Sequence, residues 1–450
     1  MEDKREGLPE EHENLQSEAI EQKKKPGYGR GVLHGILYGV FTTLIVIFIA
    51  CGIRYFVIKN TAVDQTETAS DPTEASSDAS GDWVSETSVT EVLDDATLEK
   101  MNYLISLINT YYYDGMDVSE MQESLISGLI EGIGDKYTEY YTAEEYTQLM
   151  ESTTGSYAGI GATLYKESDD ATSVTIGYVY KDSPAENAGV EAGDQIVAVD
   201  GEAVTSDEDA SDIATAVRGD IGTTVTLTIL RDGETFDVEI ERAEVEIETV
   251  EAEMMDDGVG YLRITQFATN TTEQFEEALV ELQEEGMTSL VIDLRDNGGG
   301  VVQTCADILD DLLPEGVVVY TEDKNGNRVD YTSDEETQLD IPMVVLINGN
   351  SASASEIFAA AIADYGWGTL LGTTTYGKGV YQSVFELTDG SGIKITIGKF
   401  YSPNGNNFNG VGITPDVELE YENTAGDDAD YSYETDNQLQ KAIELLTEDE

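Results

Sequence analysis

Histidine is almost missing from this 450-residue chain; the two present, His12 and His34, both precede residue 35. The commonest general base is therefore absent from everything downstream. Cysteine is as scarce. Cys51 lies in an apolar run and Cys305 in a predicted helix, so a disulfide is not expected. No Cys/His cluster has zinc-ligand spacing, and nothing calls for a metal or a cofactor. Basic residues number 23 against 91 acidic ones, a formal net charge of −68. Like charges repel, which argues against nucleic acid or an anionic membrane surface as a partner and fits a soluble acidic exterior. Between residues 255 and 420 the lysines are only Lys324, Lys378, Lys394 and Lys399.

Against that scarcity stands a serine cluster, Asn350-Ser351-Ala352-Ser353-Ala354-Ser355-Glu356, followed by Tyr376-Gly377-Lys378-Gly379. A serine nucleophile needs a group to take its proton, and without histidine a lysine is the available substitute. The buried strand Met343–Ile347 delivers the chain to the serines, and Ile357 to Ala363 reads as a helix. Ser353 and Glu356 have capping-box spacing, so Ser353 is either an N-cap or a nucleophile exposed at a strand-to-helix turn. In the second case the amide of Ala354 would donate to an oxyanion at the helix start. A second strand, 289–294, runs into Gly298-Gly299-Gly300, where bare backbone can approach a carbonyl; Asp293 and Arg295 would fix that turn. Lys378 precedes a strand over 380–387, and Gln382, four residues on, would share its face. Burial would lower the proton affinity of such a lysine.

Residues 31–53 form an apolar run long enough to span about 30 Å as a helix. Lys23, Lys24, Lys25 and Arg30 precede it, which predicts a cytoplasmic N-terminus, an uncleaved single-pass anchor and an extracytoplasmic remainder. Gly31, Gly35 and Gly39 would let two such helices pack closely, leaving homo-oligomerisation open. The expected organisation is a tail (1–30), anchor (31–53), linker rich in Ser, Thr, Asp and Glu (54–90), helical element (91–153), domain of short strands (154–243), α/β core (244–420) and acidic C-terminal segment with a terminal helix (421–450). Alternation of helices and strands in the core argues a layered, largely parallel sheet with sites at its C-terminal strand ends.

Gly159-Ile160-Gly161-Ala162, Ser183-Pro184-Ala185 and Gly193-Asp194-Gln195-Ile196-Val197-Ala198-Val199-Asp200-Gly201 together resemble a PDZ domain. That resemblance implies a loop of backbone amides, Gly159 to Ala162, for a peptide's terminal carboxylate. From about residue 91 to 447 the chain resembles the C-terminal processing peptidases, or tail-specific proteases. The resemblance rests on Gly155 to Gly161, Asp293 to Gly300, Ser351 to Ile357, Gly377-Lys378-Gly379 and Gly412 to Val417. It implies a mixed α/β multidomain protein whose peptidase core is of the crotonase/ClpP-like type. It further implies Ser353 as nucleophile, Lys378 as base 25 residues on, Gln382 as its assistant, and the amides of Ala354 and Gly299 as oxyanion hole. The substrates implied are polypeptides with free C-termini. The rival is a non-catalytic PDZ scaffold on a peptidase-like fold, against which intact Ser353, Lys378 and Gln382 speak.

Overall fold

The computed structural model describes residues 89–168, 170–334, 337–424 and 432–447. The expected tail and anchor, and all but the end of the expected linker, lie outside them. Among the described residues no helix is long and apolar enough to cross a membrane. The chain divides into two units, one ending at Tyr111 and one beginning at Tyr112. Of the first, α1 (Val89–Val92) and α2 (Asp95–Tyr111) are described, and α2 buries none of its residues.

The second unit opens with α3 (Val118–Glu131), β1 (Glu139–Tyr141) and α4 (Ala143–Thr154). Thr142 and Glu145 cap α4 reciprocally, and Gly155, at φ 75°, closes it in the left-handed region that glycine tolerates. The sequence announces helices here but not β1, which is three residues long and pairs far away in the chain.

The PDZ-like domain comprises β2 (Ser156–Gly159), β3 (Ala162–Tyr165), β4 (Val174–Val179), α5 (Pro184–Asn187), β5 (Gln195–Val199), β6 (Glu202–Ala203), α6 (Ala210–Val217), β7 (Thr224–Arg231), β8 (Glu234–Glu241) and β9 (Ala243–Glu246). Strands β3-β4-β5-β7-β8 form an antiparallel sheet, with β6 on β5. Alternate residues Val225, Leu227 and Ile229 of β7 turn inward against Ile213 and Val217 of α6. Strands β2 and β9 pair separately, and Ile247 N–H donates to Gly155 O, so the domain is entered and left through one two-stranded ribbon.

The core follows as β10 (Val250–Met254), β11 (Val259–Ile264), α7 (Thr271–Glu284), β12 (Ser289–Asp293), α8 (Val302–Leu312), β13 (Gly316–Asp323), β14 (Arg328–Ser333), β15 (Met343–Ile347), α9 (Ala354–Tyr365), β16 (Thr369–Gly372), β17 (Val380–Glu386), β18 (Gly392–Tyr401), β19 (Val417–Glu418) and α10 (Asn437–Thr447). The main sheet runs β10-β11-β12-β15-β16-β19, parallel except for β10. Strands buried on both faces read as unbroken apolar runs, as Met343–Ile347 does. Leu290, Ile292, Val345 and Ile347 pack on α7, α8 and α9, while Val291, Val344 and Leu346 meet α10 on the opposite face. Each such side chain, fully buried, contributes about 1.5–3 kcal/mol. The second core sheet is β1-β18-β13-β14, with β17 on β18; Glu139 of β1 stands opposite Lys394 of β18.

Candidate active site

Strands β12 and β15 are neighbours, so their C-terminal ends bring the glycine run and the serine cluster together. After β12, the Arg295 guanidinium is held by Asp293 at 2.6 Å and Asp436 at 2.8 Å, and donates to Gln438 Oε1 at 2.9 Å. Burial works against its charge, yet the two carboxylates hold its pKa up. The turn is thereby pinned to the start of α10. Gly299 and Gly300 then adopt φ of 100° and 144°. A Cβ on Gly299 would lie 2.6 Å from Ala352 O and 2.8 Å from Ser353 Cβ, so only glycine lets the two turns touch.

The three serines of the cluster are used differently. Ser351 Oγ donates to Leu294 O at 2.7 Å and Ser355 Oγ to Asn297 O at 2.9 Å, both fully buried. These two stitch the serine turn to the glycine turn. Ser353 instead lines a cavity of about 570 Å³ together with Lys378, Gln382, Lys394 and the glycine run. It sits at φ 58°, ψ −112°, not the extended conformation of an ordinary N-cap. Such a backbone costs on the order of 1–3 kcal/mol and persists only where its surroundings over-determine it.

Glu356 supplies that determination. Its buried carboxylate accepts from Ser353 N–H at 2.9 Å, Gly377 N–H at 2.6 Å, Lys378 N–H at 2.7 Å and Thr375 Oγ1 at 2.6 Å. The sequence shows Glu356 only as a capping-box partner; three of its four donors lie 19 to 22 residues onward and leave no local signal. One side chain thus fixes the serine turn and the lysine loop relative to each other.

Lys378 lies ahead of β17, not within it, and the β17–β18 register shifts between Tyr381 and Gln382, so strand alternation does not relate the two residues. Both nevertheless line the cavity. Burial, reinforced by the Lys394 charge and opposed by Glu356, lowers the Lys378 pKa from its ordinary value. The Tyr137 ring, from the segment before β1, lies 5.0 Å from Lys378 Nζ. Gln382 Nε2 donates to Thr396 Oγ1 at 3.2 Å.

The expected oxyanion donors fare unequally. Ala354 is the first residue of α9, where helix geometry leaves the N–H without an intrahelical acceptor. Gly299 N–H, by contrast, donates to Asn297 Oδ1 at 2.8 Å. The Asn297 side chain, which itself donates to Ile264 O at 2.8 Å, engages that amide here.

In the PDZ-like domain, Gly159 to Ala162 run between β2 and β3. Gly161 takes φ 78°, and a Cβ there would meet Ser183 Cβ at 2.3 Å. The groove between β3 and α6 is a cavity of about 230 Å³ walled by Ile160, Ala162, Leu164, Ala214 and Val217. Tyr157 also lines it, a residue the sequence reading did not single out. Its ring folds along Gly159, its pKa is pushed up to about 12 by burial, and its hydroxyl lies toward the amides of Ala162 and Gly161. Arg218 lies over the same ring at 5.5 Å and pairs with Glu151 of α4 at 3.0 Å.

Known proteins are similar to this chain in sequence. A family model described as Peptidase family S41 matches residues 258–419, and one described as PDZ domain matches 175–231. The carboxyl-terminal-processing protease of Synechocystis is 35% identical over 72% of this chain and 76% of its own length. The chain belongs to peptidase family S41. A CtpA-like serine protease of Staphylococcus epidermidis is 33% identical over 72% of this chain. The chain spans 66% of that relative's length. A solved structure titled photosystem II D1 C-terminal processing protease aligns at 30% identity and a TM-score of 0.41, over 72% of this chain and 88% of its own. Family S41 membership carries the reading of the chain as a serine-type peptidase.

Proposed function

We propose that the chain is a serine endopeptidase that takes hold of polypeptides by their free C-termini and cleaves them with a Ser353–Lys378 pair. The observation that carries this reading is the division of labour among the serines: Ser351 and Ser355 are committed to backbone carbonyls, and Ser353 shares a cavity with a lysine of lowered pKa. Neutral Lys378 takes the proton from Ser353 Oγ as the oxygen attacks the scissile carbonyl. The Ala354 amide receives the oxyanion. On collapse the leaving amine takes the proton from Lys378, and an acyl-serine ester remains. Lys378 then activates water, which releases the acid and restores the hydroxyl. Gln382, held by Thr396, steadies the lysine side chain. The Gly159–Ala162 loop receives the substrate's terminal carboxylate. Residues 31–53 anchor the protein with its catalytic part outside the cell.

The test is cleavage of an apolar-ended polypeptide by wild type, Ser353→Ala, Lys378→Ala and Lys378→Arg. Each variant should fold and lose at least about a thousandfold in rate, guanidinium being no base near neutral pH. Wild-type activity should rise with pH as Lys378 deprotonates. Cleavage by Lys378→Arg sinks the lysine-base assignment. A folded wild type that binds such chains without cutting them favours the non-catalytic scaffold. For the anchor, protease added to intact cells should remove residues beyond about 60 and spare the tail; release of a mature form beginning near residue 52 overturns it.

A further inference from the structure

The cavity beside Ser353 holds a second lysine whose circumstances are opposite to those of Lys378. Lys394 projects from β18 into the same space. Its ammonium is paired with Glu139 at 3.0 Å and hydrogen-bonded to Tyr141, both on β1. Lys378 makes no ion pair among the described residues; the Glu356 carboxylate is occupied by backbone amides and Thr375. In a chain so poor in lysine and so acidic, two ammonium groups in one cavity are an arrangement that charge balance alone would not produce. When two like charges share a cavity, the one without a counter-ion gives up its proton first.

We propose that Lys394 is a positioning residue: a cation fixed by β1 that keeps Lys378 in its neutral, proton-accepting form. The inference rests on the Ser353–Lys378 reading above. The groups that bear on Lys378 are Lys394 from β18, Glu356 from α9, Asp135 and Lys136 from the segment before β1, and, from β1 itself, Glu139, whose carboxylate is committed to Lys394 at 3.0 Å. The Tyr137 ring lies 5.0 Å from its ammonium nitrogen, and Gln382 lines the same cavity. Those bearing on Lys394 are Glu139 and Tyr141, which raise its pKa against the effect of burial. The two lysines are thus driven apart, Lys378 downward and Lys394 upward. This also gives β1 a purpose. It is the strand that carries the counter-ion, and without it the fixed cation would be the one to deprotonate.

The experiment is the rate at which a fluorophosphonate modifies Ser353, its Oγ displacing fluoride from phosphorus, measured from pH 5 to 10 on full-length protein. Lys394→Gln, which keeps a hydrogen-bonding side chain and removes the charge, should move the midpoint up by about one pH unit. Labelling should fall about tenfold below the midpoint and return to the wild-type plateau above it. Lys394→Arg keeps the cation and should keep the low midpoint. Thermal melting checks that each variant folds, and Lys394→Met stands in if Lys394→Gln does not. An unmoved midpoint, or an equal fractional loss at every pH, overturns the proposal and leaves Lys394 a strand-pairing residue. Undiminished labelling of Lys378→Ala would instead sink the Ser-Lys reading itself, so the two failures are distinguishable.

Discussion

The serine turn and the PDZ-like loop both present backbone amides where a glycine-dependent turn meets the next element, yet the two are kept in opposite conditions. At the serine turn, a buried carboxylate on Glu356 gathers four donors and locks Ser353 and the lysine loop into one piece. At the PDZ-like loop, the amides of Gly161 and Ala162 face a hydroxyl from their own chain, that of Tyr157. The first site is built in advance and loses nothing to reorganisation when substrate arrives. On the proposed reading, the Tyr157 hydroxyl stands where a terminal carboxylate would come, and the ligand would displace it. Catalysis rewards rigidity, whereas recognition can use an internal competitor to set its threshold.

Breaking the lock should give the largest effect. Glu356→Ala leaves buried donors on both loops without an acceptor, each costing about 1–3 kcal/mol. It should reduce kcat/KM about a hundredfold or more while the PDZ-like domain still binds peptide, because small misplacements of reacting groups are costly. A steady-state assay beside a binding titration checks this; near-normal turnover would remove Glu356 from the argument. Next in size is the ligand's charge. Amidating the C-terminus of one apolar-ended peptide should weaken its binding to full-length Ser353→Ala by roughly ten- to a hundredfold, the worth of a charge-assisted hydrogen bond. Equal affinities would mean that Gly159 to Ala162 is no carboxylate site.

A smaller effect is expected from uncovering the loop. Tyr157→Phe removes the competing hydroxyl and keeps the ring under Arg218. Affinity for the free-acid peptide should rise by about two- to tenfold, one neutral hydrogen bond, with no gain for the amidated one. An unchanged or lower affinity would show that the hydroxyl supports the loop.

The smallest effect lies apart from both sites. Asp311 on α8 has a buried carboxylate oxygen without a partner, and burial, with Glu276 nearby, pushes its pKa up to about 6. The folded value lies above the unfolded one, so the stability it contributes is fully present below about pH 4 and lost as pH rises through about 6. Asp311→Asn should therefore stabilise the fold at pH 8 by roughly 1 kcal/mol after allowing for solvent screening, raising Tm there, and change little at pH 4. Melting at the two pH values decides it, and an equal shift at both would show that charge is not the cause.

How much of this was readable beforehand depends on how local each feature is. Met343–Ile347 was plain, being five buried apolar residues between Pro342 and Asn348. The serine and glycine turns could be brought together because both end parallel strands, where sites gather. Helix α9 starts three residues earlier than periodicity suggests, since Ser353 turns at positive φ and α9 begins at once. What stayed hidden was long-range. Glu139, Tyr141 and Lys394 meet only because β1 pairs with β18, some 255 residues onward. The engagement of Gly299 by Asn297, two residues away, was local but depended on a side-chain rotamer that spacing does not encode.

The ribbon of β2 and β9 has a consequence for how such a protein can change over time. Entry to and exit from the PDZ-like domain lie side by side, so the catalytic fold sees that domain as a single closed loop in one place on its surface. Closing a short loop there would cost little chain entropy. The PDZ-like domain can therefore be lost, duplicated or exchanged for any other whose ends are adjacent, while Ser353, Glu356 and Lys378, all encoded downstream of it, are untouched.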